Sequence, residues 1–139
     1  MERELFTKLE RWMNKKNRKP MIIQGARQVG KTWIMKEFGA RFYENTVYIN
    51  FDNNKAMKDV FELDFDLKRI LSAIKIEYGK SFQAENTLII FDEIQEAPKA
   101  LASLKFMRTR HSILLLQPVH CSVLHCIREH PFQWERWIF

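Results

Sequence analysis

Glycine and proline are scarce, four of each in 139 residues, and two of the glycines fall within one eight-residue stretch. No run of 18 or more apolar residues occurs, which excludes a transmembrane helix of ordinary length. Two cysteines do not make a disulfide framework. The opening MERELFTKLERW mixes charges with apolar residues and lacks the uninterrupted apolar core of a secretory signal. A cytoplasmic protein without membrane association is the expectation. Residues 107–139 hold no Gly, Lys, Asp or Asn, yet contain both cysteines and all four histidines.

What is present is a globular composition. Hydrophobic residues make up 46%, which is ordinary for a folded domain. The length suits one domain or a piece of one, and a chain of this size buries roughly two-thirds of its unfolded surface. The formal net charge is +6. Most basic residues are scattered on the polar faces of expected helices, apart from KKNRK at 15–19. A solvated basic surface accounts for this, and nucleic-acid binding is the sharper alternative.

The chemistry concentrates in GARQVGKT, residues 25–32, which fits G-x-x-x-x-G-K-[ST]. Gly25 and Gly30 permit backbone angles that a Cβ resists. The N–H groups of the loop, through Ala26, Arg27, Gln28 and Val29, can then turn inward on phosphate oxygens. Lys31 adds a positive charge near the β- and γ-phosphates, and the Thr32 hydroxyl can ligate Mg2+. The helix opening at the end of the loop aims its positive end at the same anion. Context agrees: the apolar MII precedes the loop as a buried strand should, and Ile34, Phe38 and Phe42 follow at helical spacing. Arg27 and Gln28 lie at the loop crown, facing a neighbouring subunit or solvent.

Elsewhere the chain alternates helix and strand. Leu5, Phe6, Leu9, Trp12 and Met13 predict an amphipathic helix over 2–17. VYINF at 47–51 reads as a strand, and Asp52, Asn53 and Asn54 offer a turn and a cap. Ala56, Met57, Val60 and Phe61 predict a short helix. Asp64 or Asp66 caps the next one, whose inner face is Leu67, Ile70, Leu71, Ile74 and Tyr78 and whose end is Gly79. Pro98 opens a further helix through Leu101, Leu104 and Phe106.

Between these lies TLIIFDEIQ, residues 87–95. Leu88, Ile89, Ile90 and Phe91 form a continuous apolar run, as in a central parallel strand covered on both faces. It ends in Asp92 and Glu93, and adjacent carboxylates there are costly unless something positive meets them. Nucleotide-bound Mg2+ supplies that charge, which makes this the Walker B element. Asp92 is assigned to Mg2+ and Glu93 to the attacking water as its base. Gln95 has no fixed role.

GARQVGKT, INFDNN and DEIQEAPKALASLK together resemble a family of prokaryotic AAA-type P-loop ATPases, over residues from about 5 to 106. The family is a branch of the additional-strand NTPases in which the DEIQ form is characteristic. The resemblance implies an α/β fold, with a parallel sheet flanked by helices and the P-loop strand beside the Walker B strand. It also implies ATP and Mg2+ as ligands. Family members usually continue into a C-terminal domain through which a DNA or protein partner would be met. The expected function is Mg-dependent ATP hydrolysis, with a nucleotide-binding or nucleic-acid-binding module without turnover as the alternative. A small-molecule kinase is disfavoured, since it does not generally need a glutamate at the position of Glu93.

After Phe106 the resemblance stops. The family continues through a fourth strand ending in a polar sensor residue, typically within A-A-G-S-L-L-G, where this chain has ILLLQPVHCSVLHC. Reading from the third base of the Phe106 codon, the genetic code permits Y-A-N-A-P, I-V-A-A and G-S-L-L-G in register, as the family continues. Residues 1–106 are therefore expected to be the N-terminal part of the ATPase domain, incomplete at its C-terminus. Residues 107–139 are expected to be an out-of-frame tail, leaving the chain a weak or inactive enzyme. The tail also carries one rival reading, zinc binding, and one accident of composition, a strand-like run. His120, Cys121, His125, Cys126 and His130 are zinc's preferred ligand types, although their spacing matches no common finger. Ile113, Leu114, Leu115 and Leu116 suit the fourth-strand slot.

Overall fold

The computed structural model describes residues 2–16, 18–25, 30–64, 66–79, 83, 85–103, 112–118 and 135–138. Helix α1 (Glu2–Met13) leads into strand β1 (Met21–Gly25), helix α2 (Lys31–Phe42) and strand β2 (Asn45–Asn50). Helices α3 (Lys55–Leu63) and α4 (Leu67–Tyr78) precede strand β3 (Thr87–Asp92). A 3-10 turn (Ile94–Glu96), helix α5 (Pro98–Ser103) and strands β4 (Ser112–Pro118) and β5 (Glu135–Ile138) follow.

Alternation along the strands decides what each face of the sheet meets. Ile22, Val47, Ile49, Ile89 and Phe91 point to one side, where Met57, Phe61, Ile70 and Ile74 of α3 and α4 cover them. Ile23, Leu88 and Ile90 point to the other, under Leu9 and Trp12 of α1 and Met35 and Phe38 of α2. Helices on both faces are what a parallel sheet requires. Every described strand pair is parallel, and the order is β2-β3-β4-β1-β5.

That order corrects the expectation that the P-loop strand lies beside the Walker B strand. Met21 through Gly25 pair with Leu114 through Pro118, and Leu88 through Phe91 pair with Ser112 through Leu115. β4 therefore stands between β1 and β3. The crossover through α2 carries the chain past two strand positions to β2 at the edge, and β3 returns next to β2, leaving one slot for β4. Ile113, Leu114, Leu115 and Leu116 do occupy the fourth-strand position. β5, paired with β1, was not foreseen.

Local chemistry sets the boundaries. α1 stops at Met13, short of the expected 17, where Lys15 N turns to Trp12 O at 3.2 Å and side chains add donors to the last carbonyls. Asn14 Nδ2 donates to Glu10 O at 2.9 Å, and the Arg18 guanidinium donates to Met13 O. Trp12 Nε1 donates to Lys19 O at 2.7 Å, tying the helix to the chain entering β1. Asn54 caps α3 through Met57 N at 3.1 Å. Of the two candidate caps for α4 it is Asp66 that accepts from Lys68 N, at 3.0 Å, while Asp64 instead binds Arg69. Gly79, at φ 61°, follows the last turn of α4 in the left-handed conformation that glycine adopts without strain. Of the four residues whose spacing predicted α3, Met57 and Phe61 are buried and Ala56 is exposed.

Gly39 lies within α2, and its role is contact. A Cβ there would stand 2.3 Å from Thr46 Oγ1 and 2.8 Å from Thr46 Cγ2. Threonine is stiff at χ1, so the neighbour yields little. Alanine is favoured over glycine in helix interiors by about 1 kcal/mol, but overpacking costs about 1–3 kcal/mol. Gly39→Ala is therefore expected to lower stability in denaturant melts, and Thr46→Ala in the same chain to restore most of the loss. A stabilised Gly39→Ala chain would show that α2 does not press on β2 at this point.

Candidate functional site

The site lies where β1 and β3 end and α2 begins. Gly30, at φ 80°, precedes α2 with no side-chain cap, and no acidic residue stands in the first turn. Gly30 brings no side chain of its own to that turn, which lies at the positive end of a 12-residue helix. Gly25 is the last residue of β1; of the two loop glycines, Gly30 is the one that uses a positive φ. Ala26, Arg27, Gln28 and Val29 lie outside the described residues.

Lys31 Nζ reaches back to Gly25 O at 2.9 Å, joining the two ends of the loop. Partial burial holds its ammonium below the usual lysine range, while Asp92 and then Glu93 pull the other way. Thr32, the next residue of α2, donates from Oγ1 to Asp92 Oδ2 at 3.1 Å. Lys31, Thr32, Asp92 and Glu93 are thus brought together from two segments that are far apart in sequence.

Asp92 is the most heavily contacted of these groups. Its Oδ2 also accepts from the Tyr48 hydroxyl at 2.5 Å, and its Oδ1 from Glu93 N at 2.9 Å. Sequence reasoning passed over Tyr48. Its one signal was alternation in VYINF, which sends Val47, Ile49 and Phe51 into one core and leaves Tyr48 on the other side of the sheet. Burial, and then the bond to Asp92, raise the phenol well above its ordinary range. Tyr48 is therefore a hydroxyl donor at any physiological pH.

Glu93 leaves the strand in the left-handed region, at φ 52° and ψ 41°, the one non-glycine residue with positive φ among those described. This turn ends β3 and starts the 3-10 turn, in which Glu96 N donates to Glu93 O at 2.9 Å. The Glu93 carboxylate accepts from Gln95 Nε2, so Gln95, which had no fixed role, contacts the candidate base.

The residues present suit a nucleotide with its metal. A carboxylate and a hydroxyl in contact are hard oxygen donors of the kind Mg2+ takes, and a helix start led by glycine with a lysine beside it suits phosphate. Among the described residues no three His, Cys, Asp or Glu side chains group to hold a metal. The five histidines and cysteines considered for zinc lie outside the described residues.

The AAA domain family matches residues 17–118. The chain belongs to that family. It is an AAA-type P-loop domain, a nucleotide-binding unit of the ATPase type, whose family generally uses ATP and Mg2+. The match runs past Phe106 to the end of β4. Among solved structures, PCH-2 from C. elegans superposes with a TM-score of 0.54 at 11% identity, over 99% of this chain and 43% of that one. The likeness is one of fold, and the chain spans less than half the length of that protein. No curated protein matches. No helix among the described residues is long and apolar enough to cross a membrane.

An L-residue in the left-handed region is disfavoured by about 1–2 kcal/mol, a penalty that glycine escapes. Glu93→Gly is therefore expected to be more stable than Glu93→Ala, by about 1 kcal/mol in urea melts, the reverse of the usual order. Equal stabilities, or a more stable alanine variant, would mean that position 93 is not held in that conformation.

Proposed function

We propose that this domain binds ATP with Mg2+ and that its constellation is built to hydrolyse it. The observation that carries the reading is the 3.1 Å contact between the Thr32 hydroxyl and the Asp92 carboxylate, residues 60 apart in sequence. It brings the phosphate-loop motif and the acidic strand end into one site.

In this reading the backbone of Gly25, Ala26, Arg27, Gln28, Val29, Gly30, Lys31 and Thr32 holds the phosphates. The Lys31 ammonium takes a phosphate oxygen. Thr32 and Asp92 would hold Mg2+, which supplies charge neutralisation to the triphosphate when bound. Glu93 takes the proton of the attacking water as its oxygen bonds to the γ-phosphorus, and the bond to the β,γ-bridging oxygen breaks with ADP leaving. Gln95 orients the Glu93 carboxylate. β4 ends at Gln117 and Pro118, level with Gln24 and Gly25, so Gln117 stands where a polar sensor residue would be sought.

We further propose that residues 107–139 were encoded out of frame and that turnover by this chain is weak. The compositional break after Phe106 supports this, as do the family-like segments permitted in the shifted frame. The nucleotide sequence from codon 106 onward tests it. An open shifted frame spelling G-S-L-L-G is the expected outcome, and a shifted frame closed by early stops is the refuting one. A DNA or protein partner belongs to this proposal only through segments beyond the present fold. DNA binding by this domain itself would be salt-dependent.

Two substitutions test the site. A charge-assisted contact is worth about 1.5–3 kcal/mol, so Lys31→Ala is expected to weaken Mg·ATP binding roughly ten- to a hundredfold in calorimetry. Unchanged affinity would remove the phosphate-loop assignment. In a frame-corrected chain, Glu93→Gln is expected to slow hydrolysis by roughly 10²–10⁴-fold while ATP still binds. Undiminished turnover would take the base away from Glu93 and favour a binding module.

A further inference from the structure

We propose that Tyr48 is a positioning residue of the metal-and-phosphate site, holding through its hydroxyl the same Asp92 oxygen that the Thr32 hydroxyl reaches. The inference rests on the reading of Thr32 and Asp92 as the Mg2+-holding pair.

Three elements converge on one carboxylate. Thr32 comes from α2, Tyr48 from β2, and the Glu93 N–H from the turn after β3. An ionised carboxylate has about four acceptor sites. Both Asp92 oxygens are engaged, so the group is tied at each end and cannot swing about its own side chain. The bonds to Thr32 and Glu93 N come from residues that the motifs already place there. The bond to Tyr48 does not, and at 2.5 Å it is the shortest of the three.

The ring itself is held in place. Lys36 Nζ stands 4.0 Å from its centroid, a favourable position for a cation over a π face. Lys36 follows Thr32 by four positions, hence on the same side of α2. Tyr48 pairs with Ile90 across the sheet and packs against the core under α1 and α2. An apolar residue would fill that place equally well, so packing gives no reason for a hydroxyl. What the hydroxyl adds is a donor aimed at Asp92 from strand β2, beside the one that α2 carries on Thr32.

Tyr48→Phe removes this donor, together with the hydroxyl's contacts to the Asn50 and Thr32 side chains, and keeps the ring, its packing and the Lys36 contact. Calorimetry on the full 139-residue chain would measure ATP affinity in EDTA and across a MgCl2 titration, for the wild type, Tyr48→Phe, Asp92→Asn and the double variant. The wild type should bind ATP more tightly with Mg2+ than in EDTA, and Asp92→Asn should lose that gain. Tyr48→Phe should raise the half-saturating MgCl2 by roughly tenfold while leaving ATP affinity in EDTA within about twofold. In the Asp92→Asn background it should add nothing. A Tyr48→Phe chain with wild-type Mg2+ dependence overturns the positioning role and leaves the Thr32–Asp92 reading standing. A parallel loss of affinity in EDTA and in Mg2+, with a lowered melting temperature, assigns Tyr48 to packing and also overturns it. A wild type without any Mg2+ gain, or an Asp92→Asn chain that keeps the gain, overturns the parent reading and this inference together.

Discussion

A carboxylate at the end of a strand buried on both faces is unstable unless donors meet it as it emerges, and the arrangement of this domain turns on how Asp92 meets that condition. Leu88, Ile89, Ile90 and Phe91 precede it and are all buried. Its donors come from α2, β2 and the turn after β3, so those three elements must sit at fixed separations. The contact of Gly39 with Thr46 is one means of fixing them, since the missing Cβ lets α2 lie close on β2. A packing detail far from the chemistry thereby sets where Thr32 stands.

The opposite face of the sheet supplies the rigidity. Phe51, Phe61 and Phe91 pack around one another with centroids 5.5–5.7 Å apart. Phe91 directly precedes Asp92, and Phe51 N donates to Asp92 O at 3.1 Å. The ends of β2 and β3 are therefore level, with Asn50 opposite Asp92. Above this aromatic floor the site divides by sign, Lys31 and the start of α2 on one side and Asp92 and Glu93 on the other. In the proposed reading, a polyphosphate and a divalent cation together satisfy both halves better than either alone.

The elements were legible where periodicity and punctuation agreed. Leu5, Leu9 and Trp12 are buried as their spacing in α1 required, and Gly79 follows α4 in the conformation that marked it as a stop. The pairing of Thr32 with Asp92 was legible as well, because each motif carries its own chemistry. Tyr48 was not, since a tyrosine in a run of β-formers looks like any other aromatic until the strand's neighbour is known. The strand order expected from the resemblance was wrong, and the residues themselves carried nothing to correct it. Each strand's apolar pattern states how buried it is, whereas its place among parallel neighbours is set by crossovers that leave no local mark.

β4 shows how little a strand's slot asks of its sequence. The slot between β1 and β3 asks for a short strand with backbone partners on both sides, and a continuous apolar run meets that demand. Ile113, Leu114, Leu115 and Leu116 meet it, although the composition around them departs from the rest of the chain. Backbone pairing requires only extended residues without an interrupting proline, and Pro118 stands at the end of the strand, where it removes no interior bond. The slot therefore selects for hydrophobicity and length and barely for identity. The proposed site beside it is the opposite case: in that reading Lys31, Thr32, Asp92 and Glu93 must each be the residue they are. A strand slot and a reaction site thus constrain sequence differently, because the sheet needs apolar surface, while the proposed catalysis needs particular atoms at its edge.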